Sequence, residues 1–137
     1  MAVVSELIRK ESDKTLSFGD YTLGTKSKLD NFDFEGDLYK VKTFKEVTKL
    51  ERNGLFVYES IPGTAVEHFS VKENEVEFTV EGESDAQITL ELEPETEYEI
   101  FVGDGDAGVM KTNLGGKLSL SVELEADSSV KVKVAKK

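Results

Sequence analysis

The chain has 137 residues, 28 acidic against 17 basic side chains, a formal net charge of −11 and no cysteine. That length suits one domain able to bury roughly two thirds of its unfolded surface, and the missing cysteines exclude disulfides and thiolate chemistry. The acidic balance argues against nucleic acid and anionic membrane surfaces as partners, because both repel negative charge.

The first residues, Met1 to Lys14, hold no basic stretch followed by an apolar core, and no segment has the apolar length of a membrane helix. The expectation is a cytoplasmic protein. Val3, Val4, Leu7 and Ile8 follow the spacing of a helical face, so residues 1–13 are expected to form a short helix or an arm that packs on the domain or on a neighbouring subunit. Residues 14–137 are expected to form a single domain.

From Thr15 the pattern changes to period two. Leu16 and Phe18 alternate before a Gly19-Asp20 turn, and Tyr21 and Leu23 alternate after it. Residues 30–37, D-N-F-D-F-E-G-D, read as a polar loop carrying two aromatics. Leu38 to Leu50 reads as one long strand with a shift of parity near Phe44 and Val47, the mark of a bulge or a break. Asn53-Gly54 is a strong hairpin signal, since both residues tolerate positive φ. A further turn is expected at Pro62-Gly63, a strand from Thr64 to Val71, and a tight turn at Glu73-Asn74.

The second half carries an apolar ladder on even positions: Val76, Phe78 and Val80; Ile88, Leu90 and Leu92; Tyr98, Ile100 and Val102; Leu118, Leu120, Val122 and Leu124; Val130, Val132 and Val134. Polar residues fill most odd positions, as in strands with one buried and one wet face. Gly103-Asp104-Gly105-Asp106 and Asn113 to Gly116 read as turns. The whole predicts an all-β antiparallel β-sandwich of about ten to twelve short strands around one shared core.

Eleven acids and no base lie between Glu73 and Glu99. On strands this is a solvated face that blocks edge pairing, or a docking face for cations or a basic partner. If the strands at 75–81 and 86–92 formed a hairpin with Val80 opposite Ile88, Glu77 would face Glu91. A glycosidase would need two carboxylates, one of them buried enough to hold its proton. Asp30 and Asp33 around Gly36, and Asp104 and Asp106 around Gly105, are candidate calcium ligands, although neither loop follows the D-x-D-x-D-G pattern. No other cofactor is expected. His68 is the single histidine, and there is no G-x-S-x-G, phosphate-loop or dinucleotide motif around which to build a site. Nine of the twelve aromatics precede residue 70. Among them Phe32, Phe34, Tyr39 and Tyr58 are the candidate ligand-binding residues, with Phe32 and Phe34 expected to be exposed.

Tyr98-Glu99-Ile100, a Gly/Asp turn, a short strand ending near Lys111-Thr112, a turn at Gly115-Gly116 and the strand Leu118-Ser119-Leu120-Ser121-Val122 cover about a fifth of the chain. This stretch resembles the C-terminal β-sandwich modules appended to many polysaccharide-degrading enzymes. With S-F-G-D-Y-T-L at 17–23 and Y-K-V-K-T-F-K-E at 39–46, the whole chain also resembles a small family of firmicute all-β proteins, some labelled endosialidase. The resemblance implies an all-β fold and speaks to no activity; a glycan stands beside a protein as a candidate partner. Sialidase sites clamp a substrate carboxylate with three arginines, whereas this chain has Arg9 and Arg52 alone. The sequence therefore reads first as a non-enzymatic binding or assembly module, with a homo-oligomer or a protein partner in view. A carbohydrate-binding accessory module comes second, and a carboxylate-dependent glycoside hydrolase third.

Overall fold

The computed structural model describes residues 3–137. These hold thirteen strands and no helix. In chain order they are β1 (Ile8–Lys10), β2 (Leu16–Phe18), β3 (Ser27–Phe34), β4 (Asp37–Phe44), β5 (Val47–Arg52), β6 (Leu55–Ile61) and β7 (Ala65–Lys72), then β8 (Glu75–Glu81), β9 (Ala86–Glu91), β10 (Glu97–Val102), β11 (Gly105–Lys111), β12 (Lys117–Val122) and β13 (Ser129–Lys136). A seven-stranded sheet runs β1-β2-β7-β8-β13-β10-β11, and a six-stranded sheet runs β12-β9-β6-β5-β4-β3. Every pairing is antiparallel. The fold is the expected β-sandwich.

The even-numbered ladder forms much of the core. Val76, Phe78, Val80, Ile88, Leu90, Tyr98, Ile100, Leu118, Leu120, Val122, Val132 and Val134 are all buried, and they join Phe18, Val41, Leu50 and Tyr58 in one cluster. At its centre Phe18, Tyr58, Phe69 and Phe78 meet mostly edge to face, at centroid distances of 5.3 to 6.2 Å. Aromatic rings prefer this arrangement because a positive edge meets a negative face.

Two local expectations are corrected. Within the described residues, from residue 3 on, the helix expected for the N-terminal segment is absent and Ile8–Lys10 form a short strand instead: Ile8 stands opposite Phe18, and Val4 and Ile8 are buried. Leu7 has φ of +73°, which no helix accommodates, and so few residues gain more from a sheet edge than from a free helix. The segment 30–37 is not a loop. It comprises the end of β3, a turn at Glu35-Gly36 and the start of β4, with a register shift between Leu29 and Phe32. The stretch 38–50 breaks where its parity shifts, dividing at Lys45-Glu46 into two antiparallel strands.

The hairpin of 75–81 with 86–92 does not form either. β8 lies between β7 and β13 in one sheet, and β9 lies between β6 and β12 in the other. Glu77 faces Ser70 and Lys133, and Glu91 faces Lys117. The acids thus meet lysines at 2.8 to 3.6 Å (Lys117–Glu91, Lys133–Glu75, Lys131–Glu77), in place of the like-charge contacts that would weaken a pair. Among the described residues no helix is long and apolar enough to cross a membrane.

Candidate functional site

At one end of the sandwich the two sheets do not close on each other. The start of β6, the β7–β8 turn, the end of β9 and the start of β10 surround a cavity of about 290 Å³. Its wall is mixed: Val57, Phe69, Val76, Leu90, Leu92 and Tyr98 from both sheets supply an apolar part, and Arg52, Lys72 and Asn74 are among the polar residues that complete it. Leu55 and Val71 stand at its mouth, 67% and 50% exposed. Beside the opening, a register shift between Leu50 and Glu51 places an extra residue, Val57, in β6, and the Asn53-Gly54 turn, both residues at positive φ, joins β5 to β6. A second hollow of about 230 Å³ shares Arg52, Phe69 and Val71 with the first and adds Leu16, Phe34 and Tyr39.

Arg52 is the polar centre of this region. It stands opposite Tyr39, on the inward row that Thr48 and Leu50 occupy before it. Arg52 itself is exposed at the end of β5, where it borders both hollows. Burial pushes the Tyr39 phenol above its ordinary pKa, and the neighbouring Arg52 guanidinium acts in the opposite direction. Four carboxylates also border the cavity: Glu73, Glu75, Glu91 and Glu93. Three of them are held by lysines, Glu75 by Lys133 at 3.3 Å, Glu91 by Lys117 at 2.8 Å and Glu93 by Lys136 at 2.5 Å. Among the described residues Arg52 makes no ion pair.

The predicted aromatics divide. Phe34 and Tyr39 line the second hollow, their rings edge to face at 6.0 Å. Phe32 and Phe34 are half-buried and pack against the core instead of standing in solvent. The register shift in β3 is what turns them inward. Tyr58 is fully buried, its hydroxyl 2.8 Å from Thr64 Oγ1, so it belongs to the core and not to a ligand surface.

The predicted calcium ligands lie in two separate places. Asp30 and Asp33 are exposed on β3, at the edge of the six-stranded sheet; Asp104 and Asp106 sit at the β10–β11 turn of the other. Asp106 Oδ1 accepts the Gly108 N–H at 2.8 Å, a turn-closing bond. Among the described residues no three His, Cys, Asp or Glu side chains gather in a way that could hold a metal ion.

His68 is exposed at a bulge in β7, with φ of +53°. Its Nδ1 lies 2.9 Å from Asp13 Oδ2 and 3.1 Å from Thr15 Oγ1. Asp13 is held below its usual carboxylate range first by the Thr15 hydroxyl and then by His68. Both partners meet the same ring nitrogen, so the imidazole does not bridge an acid to a nucleophile as in a triad. The nearby Ser17 hydroxyl is buried and donates to Glu11 Oε2 at 2.5 Å. Asp20 and Glu81 are the buried carboxylates among the described residues. Asp20 accepts from the Thr22 N–H at 2.9 Å and from the Thr22 hydroxyl, and Glu81 accepts from the Tyr21 hydroxyl at 2.9 Å.

Sequence reasoning missed Arg52, Val71 and Tyr98 as parts of one site. The available signal was parity, because Arg52 continues the inward Thr48-Leu50 row where a core residue is due. No family model, curated protein or solved structure matches this chain.

Proposed function

We propose that this protein is a non-enzymatic binding module whose ligand seat is the open end between the sheets. The ligand is a small amphipathic molecule, with an apolar body against Val57, Phe69, Leu92 and Tyr98 and an anionic group at Arg52. The observation that carries this reading is an exposed arginine without an ion pair, at the end of the Thr48-Leu50 row, beside a cavity of about 290 Å³ whose apolar part comes from both sheets. That volume sits at the lower end of small-molecule pockets, which are mostly apolar with a few placed polar groups. The lysine partners of Glu75, Glu91 and Glu93 support binding over carboxylate catalysis, because those acids shape the charge of the rim instead of facing a substrate.

Titration with the apolar anion anilinonaphthalene sulfonate tests the proposal, with near-ultraviolet circular dichroism confirming that the protein stays folded. The expected result is saturable fluorescence enhancement, weakened about tenfold by Arg52→Gln, abolished by Val71→Glu and unchanged by Lys131→Gln, an exposed residue of β13 that does not line the cavity. Absence of saturable binding, or equal binding by the Arg52 variant, would overturn it.

A further inference from the structure

A second feature lies on the outer face of the six-stranded sheet. Lys28 on β3 stands directly opposite Lys42 on β4, and Lys42 stands directly opposite Lys49 on β5. Three lysines are thereby set side by side across strands about 4.8 Å apart. Like charges directly across a strand pair destabilise it, and in a chain with 28 acids and 17 bases such a row is not a consequence of composition. Lys40, on the same face of β4, faces Glu51, and these five side chains line a hollow of about 140 Å³. Lys49 approaches Glu51 at 3.9 Å. Among the described residues Lys28, Lys40 and Lys42 make no ion pair.

We propose that Lys28, Lys40, Lys42 and Lys49 form a binding site for a compact, multiply charged oxyanion of about the size of pyrophosphate. Such an anion neutralises the repulsion that the register imposes. Lysine suits it, being a mobile point charge that can donate to several oxygens. The surroundings set the size of the occupant. Past Lys49 the row reaches Glu59 on β6, and β3 is the sheet edge, with exposed Asp30 and Asp33 further along it. A long polyanion would run from the lysines onto these acids, whereas a compact one stays within the hollow. The site is separate from the cleft and does not depend on it.

The test is calorimetric titration with inorganic pyrophosphate at low ionic strength, alongside thermal unfolding, for the full chain and for Lys42→Gln, Lys28→Gln and Lys131→Gln. Pyrophosphate is expected to bind saturably and to raise Tm beyond sodium chloride of equal ionic strength. Lys42→Gln should weaken binding about tenfold, the scale of one charge-assisted hydrogen bond, and Lys28→Gln should weaken it in the same direction. Without anion, Lys42→Gln should be at least as stable as the parent, since it relieves repulsion. Lys131→Gln, on the other sheet, should bind as the parent does. Citrate binding within a few-fold of pyrophosphate would support a site that reads compact charge; its failure beside pyrophosphate binding would support one that reads phosphate. A response matched by chloride, equal binding by the Lys42 variant, or binding of long-chain polyphosphate without pyrophosphate would overturn the proposal.

Discussion

Five hydroxyl side chains, Thr43, Thr48, Tyr58, Ser60 and Thr64, are fully buried where the six-stranded sheet meets the 62–64 turn. They satisfy one another. Thr48 Oγ1 donates to the Thr64 carbonyl at 2.8 Å, accepts the Thr64 N–H at 3.0 Å and lies 2.8 Å from Thr43 Oγ1. Tyr58 and Ser60 each reach Thr64 Oγ1 at 2.8 Å. The turn is equally tight: a Cβ on Gly63 would fall 2.0 Å from the Phe44 carbonyl oxygen, which only glycine avoids. Buried polar groups are costly when unpaired, so the network is worth most through what its loss would strand. Thr48→Val keeps the shape and removes the hydroxyl, leaving a buried N–H and a buried carbonyl without partners. We expect it to lower stability by about 2–3 kcal/mol, read from the urea midpoint at unchanged slope. A cost near zero would mean that water replaces the hydroxyl.

Strands were legible in the sequence wherever parity ran unbroken, and partners were not. Val76-Phe78-Val80 and Ile88-Leu90 announce their buried faces, but alternation says only which face is inward and nothing about which strand lies alongside. Pairing is set between distant segments, and the charges show it afterwards: Glu91 meets Lys117 across β9 and β12 at 2.8 Å. Lys117→Glu should therefore cost about 0.5–1 kcal/mol, and adding Glu91→Lys should recover most of it. A swap that deepens the loss would show that the register is held by packing alone. Bulges hid the rest. The shift in β3 makes Phe32 and Phe34 look like loop residues, and β1 is too short to show a period at all. Its anchor is Ile8, 2% exposed beside Phe18. Ile8→Ala should cost about 2–5 kcal/mol, as for other large-to-small core changes. A loss below about 0.5 kcal/mol would mark the segment as a detachable arm.

Over the whole molecule, net charge conceals how the charge is distributed. Residues 1–69 hold 12 acids and 10 bases, residues 70–137 hold 16 and 7, and folding then sorts them by sheet face. The lysine row on β3–β5 arises within an acidic protein because strand register, not composition, sets what stands opposite what. The candidate cleft is of the same kind. Phe34 and Tyr39 could be suspected from aromatic content but line only the neighbouring hollow, whereas the convergence of Arg52, Val71, Leu92 and Tyr98 needs both sheets and separate parts of the chain. The claim that this open end is the ligand seat is tested most directly by amide nitrogen–proton NMR spectra recorded while anilinonaphthalene sulfonate is added. The account predicts saturable shifts confined to Arg52–Val57, Phe69–Val76 and Leu90–Tyr98; shifts scattered over the outer sheet faces, or none at saturating dye, would contradict it.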